Sequence, residues 1–203
     1  NYSDMLGSVK YWDILIYNEL RKKNIVIPQK IQREKSEKFE GAYVKDPIVG
    51  LHKWVMSFDL NSLYPHLIMQ YNISPETLVA DKAVKNMSVE KMLNKEVDTS
   101  ILKDATMTPN GALFKTTQKG FLPELMQKMY DDRVKFKQLM LEAQKDYEKT
   151  KDPKLLRDIS KFNNIQMAKK ISLNSAYGAI GNVWFRYYNI LVAEAITTSG
   201  SFT

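Results

Sequence analysis

The sequence predicts an α+β fold in which a long antiparallel helical hairpin projects from a few antiparallel strands backed by helices. Period-two alternation of apolar and polar residues over 53–59 predicts a strand that buries an aromatic face, and the P-N-G turn at 109–111 predicts a tight β-hairpin. Two long amphipathic stretches, 122–147 and 154–177, predict helices that are separated by a break at Asp152-Pro153.

The first part of the chain carries shorter elements. Apolar residues at helical spacing predict a helix over 9–20. The stretch 25–40 is polar and basic, which predicts irregular structure. After the strand, residues 63–71 predict a short helix with Pro65 in its first turn. A lysine-rich insertion follows at about 80–106, with one short helix predicted near 89–93.

Composition narrows the chemistry that the chain can perform. Cysteine is absent from the 203 residues, which excludes disulfide frameworks, thiolate catalysis and zinc held by sulfur. Only two histidines are present, so a bound metal would need oxygen ligands, and Mg²⁺ is the first expectation. The net charge of +7 favours a polyanionic partner, although a solvated lysine-rich surface gives the same charge. No stretch reads as a membrane span or a signal peptide.

A carboxylate at the end of the predicted strand is the first candidate for chemistry. Residues 57–65 read S-F-D-L-N-S-L-Y-P, so Asp59 ends the strand and a tight turn leads into the next helix. Such a carboxylate can hold a divalent metal, and the backbone N–H groups that follow it can face phosphates bound by that metal. Most single aspartates are solvated surface or cap residues, so this case depends on a second cluster downstream.

The two long helices supply that cluster. Arg133 lies on an otherwise apolar stripe of the first helix, and Lys137 follows one turn later. An arginine paired with a carboxylate of a neighbouring helix would also explain this pattern. One face of the second helix turns from apolar to polar toward its C-terminal end and carries Leu156, Ile159, Asn163, Gln166, Lys170, Asn174 and Tyr177. Three cations could therefore line one side of the hairpin, an arrangement that suits a triphosphate.

These residues resemble the motifs of family B DNA polymerases. Residues 59–65 resemble motif A (D-x-x-S-L-Y-P), and residues 170–178, K-I-S-L-N-S-A-Y-G, resemble motif B (K-x-x-x-N-S-x-Y-G). Residues 133–137 are similar to the basic patch of the first fingers helix. The segment 181–188, G-N-V-W-F-R-Y-Y, most resembles replicative polymerases of T-even-type phages. The resemblance covers essentially the whole chain and implies a partial polymerase palm with a helical-hairpin fingers subdomain.

The resemblance also implies roles for individual residues. Asp59 would bind the catalytic Mg²⁺ ions, with the Leu60 carbonyl as a further ligand, and the N–H groups of Ser62 and Leu63 would cradle the β- and γ-phosphates. Tyr64 would pack under the sugar and exclude a 2′-hydroxyl. The remaining roles belong to the fingers: Arg133, Lys137 and Lys170 would clamp the triphosphate, Lys170 would also protonate the departing pyrophosphate, and Asn174 would support that face.

Contacts to DNA are implied by other positions. Tyr177 and Gly178 would lie against the nascent base pair, with Gly178 just after the second long helix. Gly41 belongs to a segment, 39–42, that resembles the family's Y-x-G-G/A template-strand motif, although Phe39 replaces the usual tyrosine. Implied partners are primer-template DNA, deoxynucleoside triphosphates and a phage sliding clamp, and the implied location is the cytoplasm of an infected bacterial host.

The resemblance implies a division into palm (1–118), fingers (119–177) and a second stretch of palm (178–203). The chain opens on asparagine and closes within an apolar helical run, so it is expected to be a fragment. The family's motif C, which carries the second catalytic aspartate, does not occur in it, and neither do the exonuclease carboxylates and the thumb. The chain alone is therefore expected to be inactive, because two-metal phosphoryl transfer needs both carboxylates.

Two rival interpretations remain open. A non-enzymatic basic module would bind nucleic acid through lysines, arginines and aromatic residues such as Trp184, Tyr187 and Tyr188, and would show no preference for triphosphates. A purely structural hairpin would bind no triphosphate, and Arg133→Ala would not change its properties. Neither rival assigns a role to the Asp59 turn or to the asparagine, tyrosine and glycine that follow Lys170.

Overall fold

The computed structural model describes residues 7–31, 41, 44–79 and 84–203, and their elements confirm the α+β class. In chain order the elements are α1 (Ser8–Lys22), α2 (Leu63–Gln70), α3 (Val89–Leu93), a 3₁₀ turn (Thr99–Leu102), β1 (Ala105–Met107), β2 (Leu113–Lys115), α4 (Phe121–Thr150), α5 (Pro153–Ile180) and α6 (Ile190–Phe202). None of the described helices has both the length and the apolar character of a membrane span.

The helical hairpin of α4 and α5 forms where the sequence predicted it. Lys151 ends α4 in a left-handed conformation, and its N–H donates to the carbonyl of Tyr147 at 2.8 Å. Asp152 then caps α5 by accepting from the N–H of Lys154 at 2.9 Å, and Pro153 occupies the first helical position. Proline at that position needs no N–H partner, so the pair ends one helix and starts the next.

The β-hairpin of β1 and β2 is antiparallel, with Thr106 opposite Phe114. Its turn depends on Gly111, which adopts φ +81°, and a Cβ there would lie 2.2 Å from the carbonyl oxygen of Val84. The turn is tied to the last helix because Asn110 Nδ2 donates to the Leu191 carbonyl at 3.1 Å. The predicted hairpin is therefore confirmed, with a glycine that both its φ value and the available space require.

The predicted strand at 53–59 is wrong, because the described residues 44–62 contain no strand. Trp54 and Phe58, which were expected to be buried, are 98% and 86% exposed. A strand needs a neighbour that takes its backbone hydrogen bonds, and in this structure no described strand lies beside the segment. The alternating pattern is thus compatible with a strand, but neither β1 nor β2 pairs with this segment.

One hydrophobic core joins α1, α2, the β-hairpin, α6 and the inner end of the helical hairpin. Its fully buried side chains include Trp12, Ile68, Phe114, Met126, Leu173, Ile180 and Ile196. The buried residues of α4 are concentrated in its first ten positions, with only Ala143 buried farther out, and most of those of α5 lie in its last turns. The inner end of the hairpin is therefore fixed in the core, whereas its outer end is largely solvated.

Candidate active site

The turn before α2 places a polar segment at the edge of the core. Ser62 precedes the helix in a left-handed conformation with φ +53°, so the chain turns sharply between Asp59 and Leu63. His66 Nδ1 lies 2.9 Å from the carbonyl oxygen of Ser62, a contact that fixes this turn on the helix. Pro65 is buried in the first turn of α2, as predicted. The segment 59–62 consequently sits at the helix N-terminus, facing the hairpin.

A cleft of about 490 Å³ separates this turn from the helical hairpin. Its lining residues come from three separate parts of the chain: residues 59–65, Arg133 of α4, and Lys170 and Asn174 of α5. The two sides are joined directly, because Arg133 Nη1 donates to Ser62 Oγ at 3.0 Å. Five residues predicted from separate motifs, Asp59, Ser62, Arg133, Lys170 and Asn174, therefore meet in one cleft.

Arg133 is the central cation of this cleft. Its Nε is buried and has no hydrogen-bond partner, and no carboxylate forms an ion pair with its guanidinium among the described residues. A buried guanidinium nitrogen without a partner is costly, and an anion that accepted its hydrogen bond would offset that cost. The interpretation of Arg133 as one half of a structural ion pair therefore finds no support in the described part of the chain.

Oxygen donors for a metal ion are present on the opposite side of the cleft. The Asp59 carboxylate and the Leu60 backbone are exposed and line the cleft. No group of three or more carboxylate or imidazole side chains lies together among the residues that the structure describes. Mg²⁺ prefers hard oxygen donors, and the Asp59 carboxylate and the Leu60 carbonyl are donors of that kind.

An aromatic pair joins the cleft to α5, because Tyr64 lines the cleft and contacts Tyr177, which does not line it. The rings of Tyr64 and Tyr177 have centroids 4.9 Å apart, and both side chains are half-buried. Burial raises the pKa of Tyr177, and the nearby Tyr64 raises it further, so Tyr177 is a neutral phenol at physiological pH. Tyr64 thus lies between the turn at 59–62 and Tyr177 of α5.

Three predicted site residues lie elsewhere. Lys137 is exposed and does not line the cleft. Gly178 was expected just after the second long helix, but α5 continues to Ile180 and Gly178 is an exposed helical residue. Gly41 is exposed, while its motif neighbours at 39, 40 and 42 fall outside the described residues.

Two contacts at the site were missed from the sequence. Gly200 of α6 packs against Tyr64, because a Cβ there would lie 2.9 Å from the ring carbon Cε1. The ring of His66 meets Tyr130 of α4 edge-on, with centroids 4.7 Å apart. A glycine inside an apolar helix is a signal that could have identified the first contact, since such a glycine often allows a close approach. Both contacts hold the Tyr64 helix in place.

The glycine contact can be tested by a matched pair of substitutions. We expect Gly200→Ala to lower the free energy of unfolding by about 1 to 3 kcal/mol, because the Tyr64 ring has to shift against Tyr177. Gly178→Ala, also within a helix, meets nothing within 4 Å and should raise the free energy of unfolding by about 0.5 to 1 kcal/mol. Chemical denaturation measures both values, and equal effects of the two substitutions would contradict the packing of Gly200 on Tyr64.

Known proteins are similar to this chain in sequence. The DNA-directed DNA polymerase of Escherichia phage RB69 is 33% identical over 239 residues, covering 97% of this chain and 26% of the phage protein. The enzyme of Enterobacteria phage T4 is 29% identical over 242 residues, covering 98% of this chain and 26% of its own length. The expected likeness to polymerases of T-even-type phages is thereby confirmed. The chain spans about a quarter of the length of these curated relatives.

A solved structure and a family model also match this chain. A solved structure of the family B DNA polymerase from the hyperthermophilic archaeon Pyrobaculum calidifontis superposes with a TM-score of 0.66 at 25% identity, covering 95% of this chain and 22% of that chain. The family model described as DNA polymerase family B matches residues 8–201, which is nearly the whole sequence. The chain belongs to DNA polymerase family B.

Proposed function

We propose that this chain is the palm–fingers part of a longer DNA polymerase that carries out template-directed deoxynucleotidyl transfer to a primer 3′-hydroxyl. The observation that carries the proposal is the hydrogen bond from Arg133 to Ser62, which joins residues 71 positions apart across a cleft also lined by Asp59 and Lys170. Family membership and the names of the phage relatives, DNA-directed DNA polymerases, support the same activity.

The carboxylate side of the cleft would hold Mg²⁺. Asp59 and the Leu60 carbonyl are the proposed ligands, and in the complete enzyme a second carboxylate from outside this chain would complete a two-ion site. The ions would lower the energy of the negative charge that develops on the reacting phosphate.

The cationic side would bind the triphosphate. The guanidinium of Arg133 offers a planar fork to phosphate oxygens, and Lys170 adds a point charge on the neighbouring helix. The N–H groups of Ser62 and Leu63 belong to the unpaired first turn of α2, where phosphate is favoured. Asn174, one turn beyond Lys170, would hydrogen-bond the nucleotide, and Lys170 is the proposed proton donor to pyrophosphate. For Lys137 the role in the clamp stays a prediction.

Contacts with DNA are proposed for the residues around the aromatic pair. Tyr64 and Tyr177 would flank the sugar and the nascent base pair, and Gly178 would let DNA approach α5 closely because no side chain projects there. Gly41 would contact the template strand.

The wider setting is also proposed. We assign 1–118 and 178–203 to the palm, with an insertion at about 80–106, and 119–177 to the fingers. The whole polymerase would act on primer-template DNA in the cytoplasm of an infected bacterial host, assisted by a phage sliding clamp. The phage origin of two curated relatives supports this setting.

Primer extension by the full-length protein tests the activity, and Tyr64 offers a specific variant. We expect Tyr64→Ala to raise the efficiency of ribonucleotide incorporation about 10- to 100-fold relative to deoxynucleotides, because the ring no longer blocks the space of the 2′-hydroxyl. Tyr64→Phe keeps the ring and should keep the discrimination. Unchanged sugar selectivity in Tyr64→Ala would remove the residue from this role. Strong duplex binding without any incorporation by the wild type would favour the non-enzymatic basic module instead.

A further inference from the structure

An ion pair links the two helices of the hairpin next to the cleft. Lys169 Nζ of α5 donates to Asp132 Oδ2 of α4 at 2.8 Å, and the two side chains are 31% and 41% exposed. Within the part of the chain that the structure describes, it is the only ion pair between α4 and α5. Each partner directly precedes a cation of the cleft, Arg133 or Lys170, in the sequence.

The residues of the ion pair are the sequence neighbours of two residues that line the cleft. Asp132 precedes Arg133 and Lys169 precedes Lys170, yet neither ion-pair residue lines the cleft. Consecutive helical residues point about 100° apart, so the ion pair lies on the flank of the hairpin while Arg133 and Lys170 line the cleft. A hydrogen bond between 132 and 169 links the two helices at the level of Arg133 and Lys170, and so restrains their rotation and their relative shift along the axis there.

We propose that Asp132 and Lys169 are positioning residues, which set the spacing of Arg133 and Lys170 for phosphate binding. The inference rests on the proposed function, and it adds two residues that do not touch the nucleotide. Global stability is a poor explanation for the ion pair, because partly exposed pairs contribute little to it. The two helices are also held together by other contacts, among them the rings of Phe136 and Phe162.

Electrostatics alone predicts the opposite effect for the acidic partner. A carboxylate close to a triphosphate repels it, so removing the charge of Asp132 should strengthen nucleotide binding if charge were its only contribution. Positioning predicts that removing the same charge weakens binding, because the lysine and both helices lose their fixed geometry. The sign of the effect of Asp132→Asn therefore separates the two explanations.

The test is steady-state primer extension by the full-length protein that contains this chain. We expect Asp132→Asn and Lys169→Gln each to raise KM for the deoxynucleotide about 2- to 5-fold, with kcat much less affected. The charge-swapped double variant, Asp132→Lys with Lys169→Asp, should bring KM back to within about 2-fold of the wild type, since it restores the link between the helices. Thermal melting of each variant checks that the fold is intact.

Asp131→Asn is the matched control. Asp131 is exposed, precedes Asp132, and accepts a hydrogen bond at 2.9 Å from Gln127 of its own helix, so its removal deletes the same charge without touching the ion pair. We expect its KM to be unchanged or lower.

Three results would overturn the proposal. An unchanged or lower KM for Asp132→Asn, matching Asp131→Asn, would show that Asp132 does not position the cations of the cleft. Failure of the charge-swapped variant to recover KM would show that the link between the helices is not what matters. A wild type that incorporates no nucleotide would overturn the proposed function and this inference with it, a result that is distinct because it needs no variant.

Discussion

Replacing Arg133 with alanine should weaken binding of a deoxynucleoside triphosphate to this site about 100-fold. Arg133 lines the cleft, and its guanidinium donates to Ser62 while its buried Nε has no hydrogen-bond partner. Hydrogen bonds to charged groups contribute about 1.5 to 3 kcal/mol each, or about 10- to 100-fold in affinity. The variant would lose every bond that the guanidinium makes to the triphosphate, together with the bond that links α4 to the Ser62 turn.

Calorimetric titration with triphosphate and Mg²⁺ measures this effect, and the KM in primer extension checks it independently. Arg133→Lys should recover part of the affinity, because it keeps the charge but not the planar fork. Arg157→Ala is the control, since Arg157 is an exposed arginine of α5 that does not line the cleft. Unchanged affinity in Arg133→Ala would contradict the triphosphate site and would favour a purely structural hairpin.

Asp59→Asn should reduce the rate of nucleotide incorporation by the full-length protein about 1,000-fold or more. The asparagine keeps the size of the side chain but removes the negative charge that would hold Mg²⁺. Loss of metal-assisted stabilisation of the transferring phosphate costs several kcal/mol of barrier, which corresponds to about 1,000-fold in rate. Binding of the triphosphate to the cationic side should fall much less, so kcat should change more than KM.

Single-turnover primer extension measures the rate directly. Asp46→Asn is the matched control, because Asp46 is an exposed carboxylate of the same irregular stretch and lies outside the cleft. The present chain alone should incorporate nothing, since it supplies only one carboxylate of the proposed pair. Incorporation by this chain that disappears in Asp59→Asn would refute the need for a second carboxylate.

The helices were predictable because their signals are local. Periodic apolar residues, Pro123 in a first turn and the Asp152-Pro153 break fix α4 and α5 within a few residues of the predicted bounds. The β-hairpin could be predicted from Asn110-Gly111 for the same reason, since a turn with positive φ depends mainly on the residues that form it. Each of these elements carries its own hydrogen-bond partners.

The strand predicted at 53–59 is wrong because its formation depends on contacts that are not local. Residues 53–59 alternate correctly, but strand formation depends on a neighbouring strand that the local pattern cannot reveal. That Arg133, Lys170 and Asn174 line one cleft was predictable because these residues lie on the facing sides of two paired helices. Lys137 was harder to place, because a helical wheel assigns a face and gives no distance along the axis. One further turn from Arg133 moves a side chain by about 6 Å, and here that step leaves the cleft.

The uneven burial of the helical hairpin gives the chain a gradient of local stability. Its outer end opens through small local fluctuations, whereas its inner end opens only when the core unfolds, so amide hydrogens along each helix would exchange at very different rates. Arg133 and Lys170 lie between the solvated outer end and the buried inner end of the hairpin. A nucleotide bound by both side chains would suppress the openings that reach this level, and its binding energy would thereby protect backbone amides far beyond the atoms it touches.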